Sequence, residues 1–216
     1  MNMFWQTDWW KTIRFNFHYF PFLTALKLPI LVSRRTAIRS LKGRIELRTP
    51  VRRGLLKLGY CGLGTQDMSF ERTIWEVEGT IILYGPVSFD RGCRISVSGQ
   101  LTLGAGFTVT GGSTLICKKA ITIGEGCRMS WDILLMDTDF HPIYDDSMTR
   151  VNPDREIRIG DRVWIGCRAT LLKGAVIPSG SVIAASSVIT GVLEKENAVY
   201  GGNGRLLREQ CHWQVD

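Results

Sequence analysis

Aliphatic residues recur every six positions along the C-terminal third of the chain, at Ile159, Ile165, Leu171, Ile177, Ile183 and Ile189. Four residues after each of the first five stands a small or β-branched side chain: Val163, Ala169, Ala175, Ser181 or Ser187. The same phase runs back through Phe89 and Ile95, then Leu103, Val109 and Leu115, then Ile123, Met129 and Leu135. Two-residue slips after Gln100 and Ala120 are expected to be absorbed at corners. A period of six suits neither a helix at 3.6 residues per turn nor hairpin strands punctuated every eight to twelve residues. It predicts an all-β solenoid, a parallel β-helix in which each short strand turns one aliphatic residue inward and stacked rungs complete the core. Three hexads close a triangular coil of about eighteen residues, with Gly124, Gly160, Gly166, Gly174 and Gly180 at its corners.

One stretch departs from the pattern. Leu135 and Ile159 are 24 residues apart, so residues 136–158 must leave the coil as a loop. A loop that long within a solenoid is usually functional. It holds His141; the other two histidines, His18 and His212, lie outside the repeats. An imidazole, with a reference pKa near ~6.5, suits proton removal at neutral pH. Asp137, Asp139 or a backbone carbonyl are the candidates for holding its other ring nitrogen. The remaining acids there, Asp145, Asp146, Asp154 and Glu156, read as a solvated loop face.

The first 45 residues differ in kind. Asp8 is a fit N-cap for a helix ending near Pro21, and such a helix gathers Trp10, Ile13, Phe17 and Phe20 on one side and Lys11, Arg14 and His18 on the other. The apolar run from Phe22 to Val32 contains Lys27 and Pro29 and falls well short of the ~20 residues that span a bilayer. Three regions follow: a basic aromatic segment at 1–45, the coil at 46–204 with its loop, and a tail at 205–216.

Charge and composition sharpen this division. With 216 residues and 44% hydrophobic content, the chain suffices for one sizeable core. Residues 1–60 carry twelve Lys and Arg against Asp8 and Glu46, whereas the rest carry fifteen against eighteen acids. The basicity of the chain, +7 overall, therefore belongs to the N-terminal segment. An aromatic, basic segment suits the plane of an anionic membrane, a coil cap or an oligomer contact. Six cysteines without a CxxC pair, and without a cleavable signal peptide before them, predict reduced thiols in a cytoplasmic protein, with Cys93 and Cys127 as core packing.

On these residues the sequence resembles the hexapeptide-repeat acyltransferases, left-handed β-helices that include galactoside, maltose and serine O-acetyltransferases. The resemblance covers residues 80–209 and rests on the histidine loop ahead of "IGDRVWIG", on "VIPSGSVIAASSVITG" and on "VYGGNGRLLRE". The leader "FNFHYFPFLTALKLPILV" with "SLKGRIEL" is similar to that of acyltransferases of capsule, exopolysaccharide or O-antigen synthesis, which favours a sugar acceptor. The resemblance implies that His141, followed by Pro142, is the catalytic base, with Asp139 beside it. Acetyl-coenzyme A or another acyl-coenzyme A is the implied donor, lying between adjacent subunits of a homotrimer. Trp164, Gly166, Ala185 and Thr190 match positions along the donor path, and Arg205 and Arg208 match bases near its phosphates. Asp137, Thr110 and Lys118 are the candidates for acceptor binding. Thr110 and Lys118 stand where galactoside acetyltransferases carry Asn and Asp, so a different or differently presented sugar is expected, free or lipid-linked. "GGNGRLL" also lacks the proline turn usual at the adenosine end.

Other classes fit less well. A zinc carbonic anhydrase on this solenoid needs three coil histidines, which the chain lacks, so no metal is expected. Nucleic-acid binding has no accompanying fold. A noncatalytic binding scaffold is the remaining alternative, and it requires neither His141 nor Trp164. Contact with the inner face of the cell membrane stands beside coil capping and oligomer contact as an expected use of the leader.

Overall fold

The computed structural model describes residues 3–214 apart from 63, 65, 66 and 68. Among the described residues twenty-two short strands fall into three sheets of nine, seven and six, in which each strand pairs with the third strand after it until the end of the nine-stranded sheet, whose last three strands follow more closely. That order is a coil visiting three faces in turn, and the fold is a left-handed parallel β-helix. Every pairing between named strands is parallel except the last, where Arg205–Arg208 folds back antiparallel onto Val199–Gly201. The first face carries Val87–Phe89, Phe107–Val109, Arg128–Met129, Trp164–Ile165 and Val182–Ile183, among others.

The six-residue aliphatics form the interior. Ile159, Ile165, Leu171, Ile177, Ile183 and Ile189 are all buried, as are Val163, Ala169, Ala175, Ser181 and Ser187. Coil length differs along the axis. Trp164 pairs with Val182 and Thr170 with Val188, giving the expected eighteen residues. Val87 pairs with Phe107 and Leu101 with Ile121, giving twenty. The two extra residues fall at Ser98–Gly99 and Lys118–Lys119, just ahead of the expected slips, where the flanking strands lengthen to four residues. Stacking is tight at the corners: a Cβ on Gly166 would lie 2.7 Å from the Ala185 amide nitrogen and 2.8 Å from the Ile183 carbonyl oxygen. Cys93 and Cys127 are buried, and burial pushes the Cys127 thiol up to about 11.

The coil starts at Ile30, ahead of the division drawn at residue 45, because the leader caps its open end. Helix α1 spans Met3–Gln6, α2 Trp9–Tyr19 and α3 Phe22–Ala25. Asp8 caps α2 by accepting the Lys11 amide at 3.0 Å. The side of α2 turned to the coil is not the aromatic one but that of Thr12, Phe15 and Asn16. A first strand has an unpaired edge, and buried backbone groups need partners. Asn16 supplies them, donating to the Ile30 carbonyl at 2.7 Å and accepting its amide at 3.0 Å, while the Thr12 hydroxyl accepts the Val32 amide at 3.1 Å. Phe15 packs edge-on against Trp75 at 5.5 Å, and Trp75 donates its indole N–H to the Tyr19 hydroxyl at 3.2 Å. Trp10, Ile13 and Phe17 therefore face outward.

Candidate active site

The histidine loop leaves the coil after Leu134–Met136 of the second face and returns at Ile157–Ile159 of the third. Its root is Asp137, completely buried, whose carboxylate accepts the backbone amides of Lys118 at 2.7 Å and of Lys119 and Ala120 at 2.8 Å. The acceptor-binding role expected of Asp137 is thus contradicted: its oxygens pin the loop to the corner of the preceding coil. Thr138 continues the root, donating to Asp154 at 2.8 Å and accepting the Phe140 amide at 3.0 Å. Phe140 then takes φ +62°, a left-handed conformation unusual for a bulky residue, and turns the chain into His141.

Asn152 holds the histidine from the far side of the loop. Its side-chain amide donates to the His141 carbonyl at 2.9 Å and to the Asp139 carboxylate at 2.9 Å, and its oxygen accepts the Ile143 amide at 2.6 Å. Lys173, on the next coil toward the C-terminus, donates to the Asp139 carboxylate and to the Asn152 carbonyl. The Lys173 bond, then the Asn152 bond, hold the Asp139 carboxyl below its usual range. Asp139 therefore faces Lys173 and Asn152 and makes no bond to the imidazole, contrary to its expected role as the group orienting the ring. No backbone carbonyl takes that place either: among the described residues the His141 ring has no hydrogen-bond partner, and the residue is exposed. The backbone is fixed and the ring is free to meet something outside the chain.

Of the acids expected on a solvated face, Asp145 and Asp146 are exposed, whereas Asp154 is largely covered and braces the loop root through Thr138. Asp145 closes a turn on Ser147 and Thr149, Asp154 also pairs with Arg150 at 3.5 Å, and Glu156 pairs with Arg158.

The donor-side residues gather elsewhere. Trp164 lies on the first face, 42% exposed, and donates its indole N–H to Ser130 at 3.2 Å. Gly166 and Ala185 follow at the corner between the first and second faces, while Thr190 lies one corner further on, exposed. Arg205 and Arg208 are exposed on the last strand, in register with Gly201 and Val199, and neither has a carboxylate partner among the described residues. Trp213 from the tail packs 6.3 Å from Trp164 and donates to the Arg162 carbonyl at 2.7 Å. Thr110 borders a shallow concavity of about 300 Å³ on the first face with Ser130, Arg128 and Asp90, whose carboxyl burial pushes up to about 6. Lys118 sits at the loop root, its ammonium 5.9 Å from the Phe140 ring centroid.

These positions fall into two groups on opposite sides of the triangle. His141, Asp139 and Lys118 occupy the vertex between the second and third faces, where Thr190 also lies two coils further on; Trp164 and Thr110 occupy the first face, across the coil from that vertex, with Gly166 and Ala185 at its corner with the second face. Sequence reasoning had no hold on Asn152, Ser130 or Trp213. Lys173 was within reach, since Met136 pairs with Leu172 and the next position lies under the loop root.

The coil of parallel hexapeptide faces with a histidine loop at one vertex agrees with the resemblance, and the curated relatives that match include O-acetyltransferases. The chain is 31% identical over 130 residues to a polysialic acid O-acetyltransferase of Escherichia coli O1:K1 / APEC, matching 60% of this chain and 41% of that protein. It is 32% identical over 83 residues to a polysialic acid O-acetyltransferase of Neisseria meningitidis, 38% of this chain and 36% of that one. It is also 28% identical over 127 residues to the galactoside O-acetyltransferase of Escherichia coli (strain K12), 57% and 58% of the two chains. The match thus spans less than half the length of the two polysialic acid enzymes. No family model matches. The fold is shared with the solved polySia-specific acetyltransferase NeuO, at TM-score 0.54 and 21% identity over 87% of this chain and 84% of that one. It is shared as well with a variant of AntD, an N-acyltransferase from Bacillus cereus solved with dTDP and coenzyme A, at TM-score 0.51 and 14% identity over 84% and 81%.

Proposed function

We propose that the chain is an acyl-coenzyme A-dependent O-acyltransferase that moves an acetyl group to a saccharide hydroxyl in capsule, exopolysaccharide or O-antigen synthesis. The observation that carries this reading is His141, whose backbone Asn152 fixes while its ring stays unpartnered at the edge of the coil. The neutral imidazole takes the proton of the acceptor hydroxyl as that oxygen attacks the thioester carbonyl carbon. The tetrahedral intermediate collapses by breaking the carbon–sulfur bond, and the imidazolium returns the proton to the departing thiolate. The transfer is direct, with no acyl-cysteine, and the Cys117 thiol at the loop root is buried and pushed up by that burial. The donor lies along the first face and its corner, against Trp164, Gly166 and Ala185, with Thr190 further along the path and its phosphates toward Arg205 and Arg208.

Because the loop and the first face lie on opposite sides of one coil, the reading requires a second copy to bring His141 to Trp164. The resemblance makes that assembly a homotrimer. Asp139 then acts as a positioning residue, through the Asn152 amide that it shares with the His141 carbonyl. The AntD complex with coenzyme A supports an acyl-coenzyme A donor on this fold. The test is thiol release from acetyl-coenzyme A, which should depend on a saccharide acceptor; a noncatalytic scaffold would release none above the uncatalysed rate.

The leader supports a cytoplasmic protein held at the inner face of the membrane. Trp5, Trp10, Phe22 and Leu23 are each more than 60% exposed, beside Arg14 and Lys27, although no helix among the described residues is long and apolar enough to cross a membrane. Apolar burial together with about 1 kcal/mol per basic residue near an anionic surface should hold the chain on anionic vesicles. Since α2 also caps the coil, the apt variant is Trp10→Glu with Leu23→Glu, which leaves Thr12, Phe15 and Asn16 in place. Vesicle sedimentation should fall sharply in this variant and, for the native chain, in high salt; unchanged sedimentation would refute the contact.

A further inference from the structure

The first face carries a second feature that the acyl-transfer chemistry does not use. Below the Trp164 rung, toward the leader, lies a concavity of about 650 Å³ lined by Arg52, Arg53, Lys57 and Arg128, and by no Asp or Glu. Among the described residues none of these four bases is paired with a carboxylate. The guanidinium of Arg53 stacks 5.1 Å from the Trp9 ring centroid, and Arg128 is held by a hydrogen bond to the Thr108 hydroxyl at 2.9 Å. Asp8, the acid nearest in sequence to Trp9, is committed to Lys11. Four unneutralised cations around one concavity make a site for a compact polyanion.

Two further observations narrow the ligand. One rim is apolar: Phe4 and Trp9 line the concavity, their rings 5.2 Å apart, and Phe4 in turn packs edge-on to the exposed Trp5 at 5.6 Å. The other rim leads to the donor side. Lys57, Ser88, Thr108, Arg128 and Trp164 are successive partners across the first face, so Lys57 and Trp164 are separated by four strand steps, about 19 Å at ~4.8 Å per step. The concavity beside Thr110 shares Ser88, Thr108 and Arg128 with this one and reaches Ser130, which holds the Trp164 indole. A polyanion bound at the arginines thus has an aromatic surface on one side and, on the other, a continuous track to the reacting end.

We propose that this basic concavity is the subsite for the diphosphate of a lipid-linked saccharide acceptor, with the lipid on the Phe4–Trp5–Trp9 side and the sugars lying along the first face toward Trp164. The assignment rests on the acyl-transfer reading for the identity of the acceptor, but the subsite itself is tested by binding alone. A soluble sugar nucleotide shares the diphosphate and lacks the lipid, so it would use the arginines without the aromatic rim.

The test is calorimetric titration of the full chain with farnesyl diphosphate, farnesol, uridine diphosphate and inorganic diphosphate. Farnesyl diphosphate should bind at least about tenfold more tightly than each of the others, because charge-assisted bonds and apolar burial act together. Arg52→Ala with Arg53→Ala should weaken it at least about tenfold while the melting transition and coenzyme A affinity stay unchanged. Lys57→Gln provides the same comparison if the double variant fails to fold. Equal affinity in the variants, or no binding of any diphosphate, would overturn the subsite. Uridine diphosphate binding as tightly as farnesyl diphosphate would overturn the lipid assignment. His141→Ala should bind farnesyl diphosphate normally and lose thiol release; thiol release kept within tenfold, with binding retained, would sink the transfer reading and leave the subsite standing.

Discussion

His141→Ala should lose acyl transfer by ~10² to ~10⁴, the usual worth of a general base, while keeping its melting temperature and its affinity for coenzyme A. Among the described residues the ring makes no hydrogen bond, so its removal orphans no buried group there and the fold has no reason to respond. The loop conformation rests instead on the residue's backbone, through its amide to the Asp139 carbonyl at 2.7 Å and its carbonyl to Asn152. Activity within tenfold of the native chain would exclude His141 as the base.

Asp137→Ala should have the second largest effect, and on stability first. Three backbone amides converge on a carboxylate with no exposure to solvent. Each bond from an amide to a charged acceptor contributes ~1.5–3 kcal/mol, and a buried donor left unpaired pays its desolvation in full. Allowing for partial relaxation and water entry, the variant should be ~3–5 kcal/mol less stable by denaturant unfolding, among the larger effects of a single substitution. Transfer should fall with it, because the loop carrying His141 is tethered at this point. A loss below about 1 kcal/mol would show that the corner amides find other partners.

The contrast between these two residues marks what the sequence made legible. Hexad spacing is a direct consequence of one inward aliphatic per strand, so Ile159 to Ile189 disclosed the core and, by its interruption, the loop and His141. A carboxylate's partners carry no such signature. Asp137 and Asp139 are two residues apart in one loop, yet one is buried against three amides and the other is exposed to Lys173 and Asn152. Only the preceding coil, whose Lys118–Ala120 corner presents its amides there, distinguishes them. The inward side of the leader was illegible for a related reason. Helical periodicity correctly located Asp8 and the aromatic side of α2, but the pull of apolar burial was outweighed at Thr12 and Asn16 by the unpaired edge of Ile30–Val32. Polar side chains face the coil because that edge has to be satisfied.

The central claim is that acyl transfer takes place at a site made by two copies, with His141 from one and Trp164 from the other. Co-expression of equal amounts of His141→Ala and Trp164→Ala chains tests it most directly, with thiol release followed at low acetyl-coenzyme A, where each variant alone should be nearly inactive. If the copies assemble at random in a closed ring, about a quarter of the sites join an intact histidine to an intact tryptophan, and about a quarter of the native rate should return. A mixture no more active than its two parents would contradict the shared site.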